Sequence, residues 1–458
     1  MRGLCTTVVL GLAFFIFALP AHAATLTWDG GGTTNNWSEC ANWTTDTCPT
    51  SADTAVFDST SVKNATVDAS FGGTIVGLTI STGYTGTITL ARSLDIINGA
   101  YSQADGAFDL SSQTLTVRGN LTISGGTFTP GTGTVVFRGN NSTIDVPTSL
   151  SLYNVDFNTI SVSFGITISS GDTLTATNRA RFIEGTVGVG TIDVGAGATV
   201  YASSTADGGS ATVKFAQAGD EVIQCDTSSA RLPGLLVAKS SGTLSFNCPS
   251  LTISSTTITG GTLAIGTNTL TVVGGFTQTT GTFDAGTGTV VFRGNNSTID
   301  VPTSLSLYNV DFNTISVSFG ITISSGDTLT ATNRARFIEG TVGVGTIDVG
   351  AGATVYASST ADGGSATVQF THTGDESIIC DNNAAMPGIL ENKSSGTLTY
   401  SCSTLTTYSF TLQNGTFSLG SKTFTVSTNF THTAGGIFDS GTSAVTFSSG
   451  GDYRRFYK

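Results

Sequence analysis

The stretch GAFDLSSQTLTVRGNLTISGGTF, residues 106–128, decides the fold. Apolar and polar residues alternate through TLTV and LTI, and Gly, Asn or Ser pairs interrupt each run. A period of two with closely spaced turn residues marks half-buried strands. The same phrase returns as GTLAIGTNTLTVVGGFTQTTGTF at 261–283 and as GTFSLGSKTFTVSTNFTHTAGGIF at 415–438. Phe108 and Phe128 lie 20 apart, Leu263 and Phe283 20 apart, and Phe417 and Phe438 21 apart. A short period of this size predicts a stacked array in which each turn touches only its neighbours. The expected class is all-β, a parallel β-helix or β-solenoid. No helical period is sustained after residue 24.

A longer period encloses the short one. Residues 131–213 recur without a substitution at 286–368, an offset of 155. The organisation expected is a leader at 1–23, an N-terminal cap at 24–60 and leading coils at 61–125. Two repeat units follow at 126–280 and 281–435, and 436–458 begins a third. The abrupt YRRFYK ending suggests a reading cut from a longer protein. Coils of 20–23 residues put about seven in each unit, and a rod on the order of 90–100 Å in all. The competing string of immunoglobulin-like sandwiches, about 100 residues each, fits the 155-residue unit poorly, and no Cys…Trp…Cys spacing of that fold supports it.

Arg2, the apolar run Val8–Pro20 and the small residues of AHA read as a secretory signal peptide, cleaved after Ala23. The run is too short for a comfortable membrane span. Six cysteines remain after Cys5 leaves with the leader. An even count at matched spacings in an exported chain predicts disulfides Cys40–Cys48, Cys225–Cys248 and Cys380–Cys402. Strands one coil apart stack at about 4.8 Å, within reach of a disulfide, which wants its Cα atoms about 4.4–6.8 Å apart. Zinc is not expected, since no Cys-x-x-Cys occurs and only His372 and His432 follow the leader. Charged residues make up only 11% of the chain and the net charge is −13, which argues against nucleic acid as a partner.

The segment TLTWDGGGTTNNWSECANWTTDTCPTSADTAVFDST, residues 25–60, holds all three tryptophans. Its series W-D-G-G, N-W-S, A-N-W and P-T-S-A-D-T-A-V-F resembles the opening of bacterial surface β-strand-repeat proteins. These are similar to autotransporter passengers and filamentous-haemagglutinin-like adhesins, and the units GTFDAGTGTVVFRG and GTNTLTVVGGFTQ resemble their repeats. The resemblance implies a surface-displayed β-helix, located extracellularly or at the cell surface, and names no ligand. The chain departs from autotransporters in having no C-terminal membrane barrel in this sequence.

No phosphate loop, nucleophile elbow, H-E-x-x-H or EF-hand motif is present. No cofactor or metal is expected. A polysaccharide-active β-helix enzyme needs paired carboxylates. Its candidates are Asp145, Asp156, Asp172 and Asp193, with Arg179, Arg181 and Glu184 as partners. All recur as Asp300, Asp311, Asp327, Asp348, Arg334, Arg336 and Glu339, so an enzyme would carry two identical sites. Turn residues and a solvated charged face explain them more simply. Trp28, Trp37 and Trp43 are candidates for stacking on a glycan, against a role as cap core. Thr173, Thr175 and Thr177 offer a Thr row of the ice-binding type, though such rows are irregular here and β-propensity also accounts for them. The sequons at Asn42, Asn64, Asn120 and Asn141 are a cheap motif in a Thr-rich chain. The function expected is a non-catalytic structural or adhesive surface protein, its partners surface glycans or other cell-surface proteins.

Overall fold

The computed structural model describes residues 23–201, 209–226, 229–356 and 364–448, with the backbone of 453–454. The leader expected at 1–23, apart from Ala23, and the last four residues lie outside these. Alternation in sequence becomes alternation in burial: Thr114–Val117 and Thr134–Phe137 each read half-buried, buried, half-buried, buried. Apolar side chains point into one continuous core and Thr, Ser or charged residues point out. The chain winds into about 18 stacked coils, an all-β solenoid. At about 4.8 Å per coil, that is a rod on the order of 85 Å long.

Each coil contributes one strand to each of three faces. On the first face Thr54–Phe57, Gly77–Ile80, Tyr101–Gln103 and Leu121–Ile123 stack in parallel. The second begins with Ala65–Val67, Thr87–Leu90, Ala107–Asp109 and Thr127–Thr129. The third begins with Thr74–Ile75, Leu94–Ile96, Thr114–Val117 and Thr134–Phe137. Beyond the cap strand, successive strands of a ladder are offset by as few as 18 residues (Ala180 to Ala198) and as many as 26 (Asn158 to Glu184). Corners of changing length absorb the variation. Glycine makes the sharpest corners possible: Gly126 has φ +73°, and a Cβ there would sit 2.4 Å from the Asp105 carbonyl oxygen. Neither the conformation nor the space suits another residue.

The 155-residue offset does not correspond to a whole number of coils. The third-face ladder runs from Thr134–Phe137 through 154–157, 179–182, Ala198–Val200, Glu221–Cys225, 244–246 and 262–264 to Thr282–Asp284. Thr289–Phe292, the copy of Thr134–Phe137, follows that last strand and lies on the next face, stacked on Thr269–Val272. In the same way Ser142–Asp145 is on the first face and its copy Ser297–Asp300 on the second. One repeat is therefore seven coils and one face more. The identical blocks point in directions a third of a turn apart. Their interiors still match: Phe137, Phe157 and Phe182 stack at centroid separations of 5.8 and 5.4 Å, and Phe292, Phe312 and Phe337 at 6.0 and 5.4 Å.

The N-terminal segment covers the first coil. Thr25–Thr27 joins the first face through Thr54–Phe57. Trp28, Trp37 and Trp43 then close over Phe57 and Phe71, with edge contacts of 5.2 Å (Trp28 to Trp43) and 5.3 Å (Trp37 to Trp43 and to Phe71). Lys63 holds the overlying loop, its Nζ donating to Gly30 O, Gly32 O and Asn42 Oδ1 at 3.1, 2.7 and 2.9 Å. At the far end, Tyr453–Arg454 pairs with Phe430 and Thr431.

Candidate functional site

The three predicted disulfides are formed, with Cα separations of 4.3 Å (Cys40–Cys48), 5.3 Å (Cys225–Cys248) and 5.1 Å (Cys380–Cys402). The second and third join adjacent coils, as the stacking distance requires. The first ties the cap loop to itself.

The tryptophans do not offer a glycan platform. All three are completely enclosed; Trp28 Nε1 donates to Lys63 O and Trp43 Nε1 to Trp37 O, both at 3.0 Å. With neither ring face reaching solvent, stacking on a sugar is closed to them, and burying aromatic area over the first coil is what they do. Asn42 is enclosed too, its Nδ2 spent on Thr34 O and Asn36 O at 3.0 Å, so its sequon is not available in the folded cap.

The candidate carboxylates are distributed over different sides of the rod. Asp145 ends a first-face strand, and Asp172 lies at the corner beyond, accepting from Val146 N at 2.8 Å. Asp193 is on the second face, 2.9 Å from Lys214 Nζ. Asp156 lies on the third face, nearly buried, where the register sets it opposite Arg181. Arg181 grips it with two nitrogens, and Arg179 stands 3.7 Å off. The hydrogen bond to Asp156 raises the guanidinium's affinity for its proton. Glu184 caps the same strand, its backbone carbonyl accepting from Thr159. The second copy repeats this: Asp311 with Arg336 and Arg334, Asp327 to Val301 N, and Glu339 to Thr314. Asp300 ends its strand as Asp145 does. Asp348 faces Gln369, where the first copy has Lys214, and accepts from Thr371 instead. These groups form coil-to-coil ion pairs and turns. Thr173 continues a row through Thr191 and Thr212, but the row through Thr175 is broken at Asp193, and Thr177 bonds back to Leu152 O.

The surface does hold a shallow polar groove of about 380 Å³ at the corner between the third and first faces, where Asn98, Arg118, Asn120, Arg138 and Asn141 stack from coil to coil beside Ile160. Asn120 Oδ1 receives Thr143 N at 2.9 Å and Asn141 Oδ1 receives Gly165 N at 3.2 Å, which ties both amides to the next coil. Arg118 is held on Asp95 by two bonds, at 3.1 and 2.7 Å. Arg138 is exposed. Such a row of amides and guanidiniums suits a hydroxyl-rich or weakly acidic chain. The copy keeps Arg293 and Asn296 but has Val273 and Gly275 in place of Arg118 and Asn120.

Sequence reasoning missed a set of charges inside the rod. Lys239 is enclosed against Glu221, and Lys393 against Glu376, with Glu391 beside them. The signal was present: in GLLVAK and GILENK a period of two places the lysine, and in the second copy Glu391, on the inward side with the preceding leucine or isoleucine.

Comparison of the chain with protein-family models, with characterised proteins and with solved structures finds no match. Among the described residues, no helix is long and apolar enough to cross a membrane, and no cluster of ligating side chains is arranged to hold a metal.

Proposed function

We propose that the protein is an exported, non-catalytic rod at the cell surface with a structural or adhesive role, akin to the autotransporter-passenger-like and filamentous-haemagglutinin-like proteins its opening resembles. One observation carries this reading: an identical block of 83 residues recurs on a different face. Repetition of that kind adds length and new directions of display, and a repeat array tolerates it because each added coil makes the same neighbour contacts. Disulfides between coils suit an oxidising compartment. The groove at Arg118, Asn120 and Arg138 is the surface with which a glycan or a cell-surface protein would engage.

The test uses beads coated with residues 24–458 and presented to immobilised polysaccharides and to cells. Saturable adhesion, weakened by Arg118→Ala with Arg138→Ala and unaccompanied by shortening of the polysaccharide, is the expected result. Depolymerisation that disappears in Asp156→Asn with Asp311→Asn would instead identify an enzyme.

A further inference from the structure

At the corner between the third and first faces of the second copy, Glu376, Glu391 and Lys393 face one another inside the rod. Glu391 and Lys393 are wholly enclosed and Glu376 is 9% exposed. Lys393 Nζ contacts Glu376 Oε2 and donates to His372 O at 2.6 Å. Glu376 Oε1 and both carboxyl oxygens of Glu391 have no hydrogen-bond partner in the protein. The first copy provides the comparison. Glu221 and Lys239 meet there in the same way, but Val237 stands where the second copy has Glu391.

A buried ammonium–carboxylate pair competes with its neutral form, because low polarity penalises both charges. Transfer of one proton from Lys393 to Glu376 leaves an amine against a carboxylic acid. Held in contact, such a pair reacts as if at an effective concentration of about 10⁵ M or more. What amide formation then needs is a group to move protons. Burial, aided by the charge of Glu376 and opposed by Lys393, pushes the Glu391 carboxyl up to about 8, so it keeps its proton at neutral pH.

We propose that Lys393 and Glu376 condense to an intramolecular amide, with Glu391 as the proton-transfer acid. The Nζ lone pair attacks Cδ of Glu376 and forms the N–C bond. Glu391 protonates the departing hydroxyl, the C–O bond breaks, and water leaves. The proton released by the nitrogen returns to Glu391, which ends as it began. No oxidant or activated co-substrate is consumed. The product links the two coils already joined by Cys380–Cys402, and reductant leaves it intact. The first copy, without a third acid, keeps a simple ion pair.

Mass spectrometry of the reduced, alkylated chain tests this. The wild-type protein should weigh one water less than its sequence, and a peptide map should contain a branched peptide joining Glu376 to Lys393 and none joining Glu221 to Lys239. Glu391→Gln and Glu391→Val should restore the full mass, and Val237→Glu should remove a second water. An intact mass equal to the sequence, or a lost water that maps elsewhere, overturns the proposal. A deficit that survives in both Glu391 variants overturns the role of Glu391. The wild-type measurement stands whether or not a variant folds.

Discussion

Glu391 occupies the position that Val237 fills in the other copy, and this exchange makes one corner of the rod sensitive to pH. Its carboxyl titrates at about 8 when folded and at about 4.3 in an unfolded chain. The folded state therefore holds the extra proton between those values. Stability from this group is complete below about pH 4 and declines as pH rises towards 8, by a few kcal/mol in all. Glu391→Val should flatten the dependence of melting temperature on pH. Asp156 illustrates the opposite arrangement, a nearly buried carboxylate already matched by Arg181. Asp156→Ala removes the carboxylate that Arg181 and Arg179 share, and, because both arginines are partly exposed, should cost only about 1–2 kcal/mol by denaturant titration. At this scale the sequence was uneven in what it disclosed. Cysteine spacing was enough to pair Cys225 with Cys248 and Cys380 with Cys402, since adjacent coils lie one disulfide length apart, and it left Cys40 for Cys48. Lys239 and Lys393 were overlooked because lysine inside a core contradicts the rule that charges face water, although the period of two pointed inward.

Among elements, the cap is the one that covers the open end of the first coil. Trp43 touches Trp28, Trp37 and Phe57, so Trp43→Ala should cost about 3–5 kcal/mol. The loss should be local. Amide exchange should quicken in residues 24–90 while coils beyond 300 hold their protection, because stability in a repeat array is nearly a sum over neighbours. Removing Cys225–Cys248 by serine substitution should cost about 3 kcal/mol in the loop-entropy estimate, read as a lower melting temperature without loss of β-sheet circular dichroism. The strands were legible wherever outward Thr alternated with inward Leu, Val or Phe. The long strands Gly165–Glu184 and Gly320–Glu339 read in sequence as separate runs, because Gly171 and Gly326, both at φ +92°, and the register shifts beside them mark the corner they pass.

For the whole molecule, deletion of residues 131–285 joins Pro130 to Gly286 and removes one repeat. The shortened chain should remain folded and lose roughly 35 Å of length in solution scattering, at about 4.8 Å per coil. Paired spin labels on the cap and near residue 410 should also report that everything beyond the junction has turned by one face. The offset of 155 was plain in the sequence, but its rotation was not. Coils between 18 and 26 residues long leave the fraction of a turn undetermined until the ladders are traced. The rotation also has a genetic meaning. Each in-frame duplication of this block acts as a screw advance, carrying all that lies downstream around the axis as well as outward. Three copies complete whole turns, so a line of such chains that differ only in copy number would present their distal ends in just three orientations. Variation in gene length would then select among compass headings of the tip, without altering a single residue on it.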